Sequence, residues 1–261
     1  MKSSEIIKFI VKWIIDYKEA NNIDGLVIGV SGGIDSALTS TLCALTGIKT
    51  LCLNMPIRQK EEEYLRAEKH IKWLETKFTN VHSTKIDLTN IFDLFRSTLI
   101  QKSANNELAL ANSRSRLRMM TLYYFATINN SIVVGTGNKV EDFGIGFYTK
   151  YGDGGVDISP IADLMKSEVF KISKKLEIND DILNAKPTDG LWDDNRTDVD
   201  QIGASYDDLE SVMKRLEQGF KPFDFDKKLK IYYDVYIKHH KANKHKMVDI
   251  PVCKIPSKFR L

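Results

Sequence analysis

The stretch Gly25-Leu-Val-Ile-Gly-Val-Ser-Gly-Gly-Ile-Asp-Ser36 joins an apolar segment to a glycine turn and then to the start of a helix. Residues 25–30 are apolar enough for a buried strand. An amphipathic pattern then predicts a helix over 35–46, closed by Gly47, and a second apolar segment follows at 48–55. This order of strand, helix and strand predicts a βαβ unit, whose two strands lie parallel in one sheet.

The alternation of strands and helices continues along the chain and is flanked by helical patterns on both sides. Further predicted elements are an amphipathic helix in the first 17 residues, a helix over 60–78, a strand over 81–86, helices over 91–100 and 107–128, a strand over 131–135, and helices over 165–176, 206–216 and 227–240. We therefore expect one domain over 1–261, with an N-terminal helix in 1–24, an α/β core of at least four strands in 25–160, and a helical extension with a basic tail in 161–261.

The composition is that of an ordinary globular protein, since 43% of the 261 residues are hydrophobic and 28% are charged, which excludes a disordered chain. The net charge of +3 is unevenly distributed, because residues 189–210 carry eight acids and one base whereas residues 227–261 carry ten lysines and arginines and two acids. A basic tail is typical of proteins that bind nucleic acid or membranes. Here the bases are scattered among Tyr, Ile and Val. This favours a solvated helix that contacts an anionic ligand, and we expect no nucleic-acid partner.

Neither the cysteines nor the apolar segments indicate secretion or membrane insertion. Cys43, Cys52 and Cys253 are far apart and form no CxxC pair, as is typical of packing thiols in a reducing compartment. No apolar run approaches the roughly 20 residues that cross a bilayer, and the N-terminus lacks the apolar core and cleavage site of a signal peptide. The sequence predicts a cytoplasmic protein with no membrane partner.

Two glycine-rich stretches follow predicted strands and are the candidate ligand sites. They cover 29–33 and 135–155 and hold ten of the fifteen glycines, which allow a backbone to approach a ligand closely. In the first stretch a Ser-Gly-Gly turn opens a helix, so that backbone N–H groups and the helix dipole favour an anion. The phosphate-loop pattern GxxxxGKS/T and the dinucleotide pattern GxGxxG are both absent from this loop, which argues against those two classes.

Asp35 separates this loop from other phosphate loops. A carboxylate would repel a phosphate group unless a divalent cation bridged the two, so we interpret Asp35 as a Mg²⁺ ligand. The alternative is that Asp35 is only a helix N-cap beneath a tight turn.

The loop over 31–36 resembles the SGGxDS pyrophosphate loop of the ATP pyrophosphatases. These enzymes cleave ATP between the α- and β-phosphates and adenylate a second substrate. The resemblance implies an α/β fold with a Rossmann-like open parallel sheet of the adenine nucleotide alpha hydrolase type, here with a helical C-terminal extension. The motif alone does not choose among members that make amides, guanidines or thiolated tRNA.

The second glycine stretch resembles the NAD synthetase family. Residues 133–160 read VVGTGNKVEDFGIGFYTKYGDGGVDISP, and three further motifs match in order: an arginine-rich helix at 112–119, the KPTDGLW segment at 186–192, and His245-Lys246. The resemblance covers roughly residues 25–250. Ser115 departs from it, because the family usually has alanine there, and we expect this small change to be harmless.

The resemblance implies a role for each matching position. Asp35 and Glu141 would hold Mg²⁺. The catalytic residues would be Asp35, Lys166 and Asp157, with Asp157 a candidate base for ammonium. ATP would contact Gly29, Val30, Ser31, Gly32, Gly33, Ile34, Asp35, Ser36, Thr136, Lys166 and Thr188. Deamido-NAD would contact Arg116, Lys150, Asp157, His245 and Lys246.

The implied activity is ATP-dependent amidation of deamido-NAD with ammonia, which yields NAD, AMP and pyrophosphate through an NAD-adenylate and is the final step of NAD biosynthesis. Mg²⁺ is the implied cofactor, ATP the co-substrate, and a homodimer the implied assembly. The chain has no room for a glutaminase domain, so we expect ammonia itself to be the nitrogen donor. One alternative is a tRNA-modifying ATP pyrophosphatase, which would need an additional RNA-binding segment. The other is a non-catalytic nucleotide-binding module on the same fold.

Two segments allow more than one interpretation. The apolar residues over 108–125 suit either a dimer interface or packing against the chain's own sheet. The acidic stretch over 189–203 lacks periodicity, which predicts a loop that becomes ordered when substrates bind.

Overall fold

The computed structural model describes residues 1–99, 106–188, 190–192 and 196–260. The strands in this part of the chain are β1 (Gly25–Gly29), β2 (Lys49–Asn54), β3 (Val81–Lys85) and β4 (Ser131–Val133). They form one parallel sheet in the order β3–β2–β1–β4, so that β1 pairs with β2 on one side and β4 on the other. The predicted open parallel sheet is confirmed.

Helices account for most of the remaining chain, and the long helices that the sequence predicts are confirmed with slightly different ends. The α-helices are α1 (Ser3–Ala20), α2 (Ile34–Leu45), α3 (Glu61–Lys77), α4 (Thr89–Thr98), α5 (Asn106–Ile128), α6 (Lys166–Lys175), α7 (Asp180–Leu183), α8 (Asp198–Ile202), α9 (Tyr206–Glu217) and α10 (Lys227–Asn243), with a π-helix at Val140–Ile145 and 3₁₀ turns at Pro222–Asp224, Lys244–Lys246 and Ser257–Phe259. Residue 100, the predicted end of α4, lies outside the described residues.

The acidic stretch over 189–203 is not a loop throughout, and the prediction is wrong for α8. Residues 189 and 193–195 lie outside the described residues. The Thr197 hydroxyl accepts a hydrogen bond from the backbone N–H of Asp200, and the Asp200 carboxylate accepts one from the N–H of Thr197. This reciprocal capping box starts a helix that is too short for a periodic pattern to reveal.

Apolar clusters cover both faces of the sheet. Leu26 and Ile28 of β1 pack with α1, α2, α3 and α6, whereas Val27 points to the other face and packs with α4 and α5. This alternation is the ordinary consequence of strand geometry. A third cluster joins α9 and α10 to the π-helix, with Leu209 and Val212 fully buried in it. The C-terminal extension is thereby packed against the segment that follows β4.

Two of the three cysteines are packing residues as predicted, whereas Cys253 is not. Cys43 and Cys52 are buried and Cys253 is exposed, and all three are free thiols. Burial raises the pKa of Cys52 to about 12, which makes it an inert packing residue. Among the described residues no helix is both long and apolar enough to cross a membrane.

His70 is expected to make the protein less stable in mild acid. It lies on α3 with its Nε2 atom 3.0 Å from the Ser40 hydroxyl, and burial lowers its pKa from 6.5 to about 4. Between these two pH values the unfolded chain binds more protons than the folded one, so the free energy of unfolding falls as the pH drops below about 6.5. Urea unfolding should show a loss of about 2 kcal/mol from this residue at pH 5 relative to pH 7.5.

The matched variants are His70→Gln, which cannot titrate, and His82→Gln, which changes an exposed histidine. The difference in unfolding free energy between pH 7.5 and pH 5 should shrink in His70→Gln and stay as in the unmodified chain in His82→Gln. An equal acid effect in all three proteins would refute the prediction.

Candidate active site

The loop between β1 and α2 is held in a tight turn by its own serines and by one obligatory glycine. The Ser36 hydroxyl donates to the Gly33 carbonyl at 3.0 Å, and the Ser31 hydroxyl accepts from the Gly33 N–H at 3.2 Å. Gly32 has a φ of +84°, and a Cβ atom there would lie 2.6 Å from the carbonyl oxygen of Glu63. Only glycine satisfies both conditions. The predicted strand, turn and helix N-terminus are confirmed.

Asp35 is not the N-cap of α2. The N-cap position is occupied by Gly33, and Asp35 stands in the first turn of the helix. Its carboxylate points instead toward residues from distant segments, accepting a hydrogen bond from the Asn138 amide at 3.0 Å. The alternative interpretation of Asp35 as a simple helix cap is therefore wrong.

A cleft of about 280 Å³ opens at the carboxyl ends of β1 and β4, beside this loop. Its lining includes every residue to which the sequence resemblance gives a role in ATP binding, namely Gly29, Val30, Ser31, Gly32, Gly33, Ile34, Asp35, Ser36, Thr136, Lys166 and Thr188. Glu141 lines the same cleft. Carboxyl ends of parallel strands are where α/β folds of this kind bind ligands.

Lys166 lies in the cleft wall, at the first residue of α6. Its Nζ atom is 2.5 Å from the Asp35 carboxylate and 2.9 Å from that of Glu141, and its side chain is only 5% exposed. Burial alone would lower the pKa of Lys166, but the two carboxylates outweigh it and raise that pKa. Lys166 is therefore an ammonium ion throughout the physiological range.

The two carboxylates around Lys166 differ in their proton affinity. Burial and the neighbouring Glu141 raise the pKa of Asp35 in spite of Lys166. For Glu141, Lys166 and a hydrogen bond from Tyr206 outweigh burial and hold the pKa below its usual range. Both carboxylates contact the same cation, the Lys166 ammonium. Among the described residues no group of three or more His, Cys, Asp or Glu side chains is arranged to hold a metal ion by itself.

Asp142 and Asp153 also line the cleft, and the sequence resemblance gives neither of them a role. Burial and the nearby Glu141 raise the pKa of Asp142 well above its usual range. Asp153 accepts hydrogen bonds from the Ser115 hydroxyl at 2.7 Å and the Thr149 N–H at 3.0 Å. The Ser115 hydroxyl also accepts from the Asp153 N–H at 2.8 Å. The departure from the family pattern at Ser115 thus ties the glycine segment to α5.

The residues to which the resemblance gives a role in deamido-NAD binding lie outside the lining of this cleft, and four of them form a connected group at the surface. Arg116 is exposed on α5 and donates to the Lys150 carbonyl at 3.2 Å. The Lys150 ammonium donates to the His245 carbonyl at 2.8 Å, and Lys246 donates to the Tyr148 carbonyl at 2.7 Å. Burial lowers the pKa of Lys246. The group offers several cations to an anionic ligand.

Asp157 is placed apart from both groups. It is exposed at the end of the glycine segment, and its two oxygens accept from the Tyr123 hydroxyl at 3.0 Å and from the Val133 N–H at 2.7 Å. These contacts tie the segment to α5 and β4. The structure does not bring Asp157 to Lys166, and its proposed role in catalysis stays a prediction.

Three polar residues around Asp35 and Glu141 have no signal in the sequence. The Tyr206 hydroxyl is 2.6 Å from Glu141 and 2.7 Å from Asp198, and Asn138 donates to Asp35. Tyr206 reads as one aromatic residue in an amphipathic helix and Asp198 as one acid in an acidic stretch. Neither pattern distinguishes them from surface residues.

Comparisons with known proteins agree on one family. The NH(3)-dependent NAD(+) synthetase of Finegoldia magna is 36% identical over 233 residues, which is 88% of this chain and 92% of the relative. That of Methanosarcina acetivorans is 37% identical over 80% of this chain and 81% of the relative. Both are proteins of nearly the same extent as this chain.

Two solved structures share the fold over almost the whole chain. The NMN synthetase of Francisella tularensis aligns with a TM-score of 0.84 and 29% identity, covering 98% of this chain and all of that one. The NH3-dependent NAD synthetase of Campylobacter jejuni, solved with a nitrate ion, aligns with a TM-score of 0.78 and 26% identity, covering 97% and 100%. The NAD synthase family model matches residues 6–248, and this chain belongs to that family.

Proposed function

We propose that the chain amidates deamido-NAD with ammonia at the expense of ATP, giving NAD, AMP and pyrophosphate, as the last step of NAD biosynthesis. The observation that carries the proposal is the buried Lys166 ammonium, which contacts Asp35 and Glu141 beside the glycine loop. This arrangement has a chemical use at a site that binds polyphosphate. In a module that only binds nucleotides, burial of these three charges would cost free energy without serving a reaction.

Amide formation from a carboxylate needs a better leaving group than oxide. Attack of the nicotinate carboxylate on the α-phosphorus of ATP would supply one by forming an adenylate, which ammonia then attacks with loss of AMP. The loop over 31–36 and the N-terminus of α2 would bind the departing pyrophosphate through backbone N–H groups. Lys166 would stay charged throughout and stabilise negative charge that develops on the phosphates.

Asp35 and Glu141 fit a divalent cation. Their carboxylate oxygens are hard donors of the kind that Mg²⁺ prefers, and both already face one cation, Lys166. Because no group of three or more potential ligands in the described part of the chain is arranged to hold a metal ion, an ion held by Asp35 and Glu141 would take further ligands from phosphate and water. Bound there, Mg²⁺ would neutralise charge on the ATP phosphates.

The second group of cations suits the other substrate. Arg116 and Lys246 donate to carbonyls of the segment over 146–150, and Lys150, which belongs to that segment, donates to the His245 carbonyl. A dinucleotide carries two phosphates, and bases beside a cleft would align it with ATP in spite of their mutual repulsion. We propose that this group, with His245, binds deamido-NAD.

A second candidate substrate is nicotinate mononucleotide. It carries the same nicotinate carboxylate, and the likeness to the Francisella NMN synthetase supports it. The two candidate substrates would react by the same steps at Lys166. They differ only in that deamido-NAD carries an additional AMP unit, which the protein would also have to bind. The named NAD synthetases, at 36% and 37% identity, favour deamido-NAD.

The experiment supplies the purified chain with ATP, Mg²⁺, either deamido-NAD or nicotinate mononucleotide, and either ammonium or glutamine. We expect NAD and AMP in equal amounts from deamido-NAD with ammonium, and little product with glutamine. Preferential turnover of the mononucleotide would select the second candidate. Release of glutamate from glutamine would contradict direct use of ammonia, and AMP formation that requires no nicotinate substrate would contradict both candidates.

We further propose a homodimer in the cytoplasm. One face of α5 packs on the sheet through Leu110 and Ala126, whereas Met120, Tyr124 and Ile128 recur every four residues on an exposed face. That stripe suits a second copy of the chain, and a sedimentation mass near twice 29.8 kDa would support it, whereas the monomer mass would contradict it. The basic tail contributes Lys246 to the second group of cations, which favours a nucleotide substrate over nucleic acid.

A further inference from the structure

One face of α9 is polar although it is buried. Tyr206 and Glu210 are four residues apart, so they lie on the same side of the helix. Tyr206 is 8% exposed and Glu210 only 2%. Neither residue lines the cleft, and the sequence resemblance gives neither of them a role. Buried polar side chains cost free energy unless they are fully bonded, so their partners show what this face does.

Glu210 binds the N-terminal turn of α6. One carboxylate oxygen accepts from the Ser167 backbone N–H at 2.7 Å, and the other accepts from the Ser167 hydroxyl at 2.7 Å and from Lys214 at 2.9 Å. A carboxylate at a helix N-terminus is favoured by the helix dipole. Because Ser167 follows Lys166 directly, these bonds fix the backbone from which the Lys166 side chain extends.

Tyr206 holds the other end of the Lys166 side chain. Its hydroxyl is 2.6 Å from the same Glu141 oxygen that Lys166 contacts, and the Lys166 Nζ atom lies 4.6 Å from the centre of the Tyr206 ring. A cation over an aromatic face is attracted to it. The hydroxyl also lies 2.7 Å from a carboxylate oxygen of Asp198 in α8.

We propose that Tyr206 and Glu210 are positioning residues that set the place of the Lys166 ammonium and the Glu141 carboxylate for the reaction. The inference rests on the proposed function of this site. It makes the C-terminal extension part of the catalytic apparatus, because α9 holds Lys166 at both its backbone and its charged end. Small displacements of such groups are costly, since catalysis depends on their alignment.

The test compares Tyr206→Phe and Glu210→Gln with two controls that make equivalent chemical changes elsewhere. Tyr236→Phe removes a hydroxyl from a ring in the same apolar cluster, and Glu217→Gln neutralises an exposed acid on the same helix. We expect kcat to fall about 10- to 100-fold in each test variant, with KM for deamido-NAD within about twofold of the unmodified chain. The controls should keep kcat and KM.

A second measurement separates positioning from folding and does not depend on turnover. Calorimetric titration with ATP, with and without Mg²⁺, should show that Mg²⁺ strengthens ATP binding less in Tyr206→Phe than in Tyr236→Phe, because Glu141 has lost its hydrogen bond. A purely structural role would lower the thermal midpoint without changing this Mg²⁺ effect. The double variant should show less than the product of the two single losses in kcat, since both act on Lys166.

The outcomes distinguish this inference from the proposed function. If the unmodified chain amidates a nicotinate substrate and the test variants match their controls, the positioning role is overturned. A loss of kcat matched by an equal loss of folded protein would overturn it as well. If the unmodified chain makes no amide, the proposed function fails, and the Mg²⁺ effect on ATP binding in Tyr206→Phe still decides whether Tyr206 positions Glu141.

Discussion

Replacing Lys166 by methionine is expected to lower kcat for NAD formation by about 10³-fold. Methionine fills a similar space but carries no charge, so the Asp35 and Glu141 carboxylates would face each other without the ammonium ion between them. The developing charge on the ATP phosphates would lose a cation of the cleft wall. Steady-state measurement of AMP and NAD at saturating substrates gives the effect directly.

The matched control is Lys171→Met, which removes an exposed lysine from the same helix and should leave kcat unchanged. Lys166→Arg should not restore activity, because the flat guanidinium group is larger than an ammonium and the site is closed around it. Turnover by Lys166→Met within about tenfold of the unmodified chain would remove Lys166 from the reaction.

Replacing Asp35 by asparagine is expected to lower kcat by a comparable factor, about 10³-fold, while leaving the protein at least as stable. Asparagine keeps the shape and can still accept the hydrogen bond from Asn138. It removes one of two carboxylates that share a single ammonium and repel each other, since Glu141 raises the pKa of Asp35. Loss of activity without loss of stability would indicate that the Asp35 carboxylate serves the reaction and not the fold.

Enzyme assays and thermal unfolding of the same preparations check this prediction. Asp163→Asn is the control, because Asp163 has a fully solvated carboxylate that pairs only with the surface residue Lys139 among the ion pairs of the described residues. It should change neither kcat nor the midpoint by much. A large drop in the midpoint of Asp35→Asn with activity retained would mean that the carboxylate serves the fold and not the reaction.

The local features of the site could be predicted because they depend on neighbours in the chain. The strand, the Ser-Gly-Gly turn and the helix that starts at Ile34 follow from apolar patterning and from the need for glycine at a φ of +84°. The choice of Asp35 followed from the chemistry of a carboxylate in an anion-binding loop. Its neighbour Asn138 had no such signal, because an amide is common in any turn.

The supporting residues could not be predicted for a physical reason. Glu210 and Tyr206 stand on an amphipathic helix where acids and tyrosines are ordinary, and nothing in their spacing shows that the face is buried. The burial arises from packing of α9 against α6 and the π-helix. The catalytic role that the resemblance implies for Asp157 stays a prediction, and its oxygens accept hydrogen bonds from Tyr123 and from β4.

By itself the sequence determined the order of strands and helices, the parallel sheet and the anion-binding loop, because periodicity and turn chemistry act over a few residues. Only the tertiary structure decided which charges meet. Lys166 lies 131 residues from Asp35 and 25 from Glu141, and their contacts depend on how α6 packs beside α2. The attraction between these opposite charges offsets the cost of burying them in a shared wall of the cleft, and no local pattern encodes which charges share that wall.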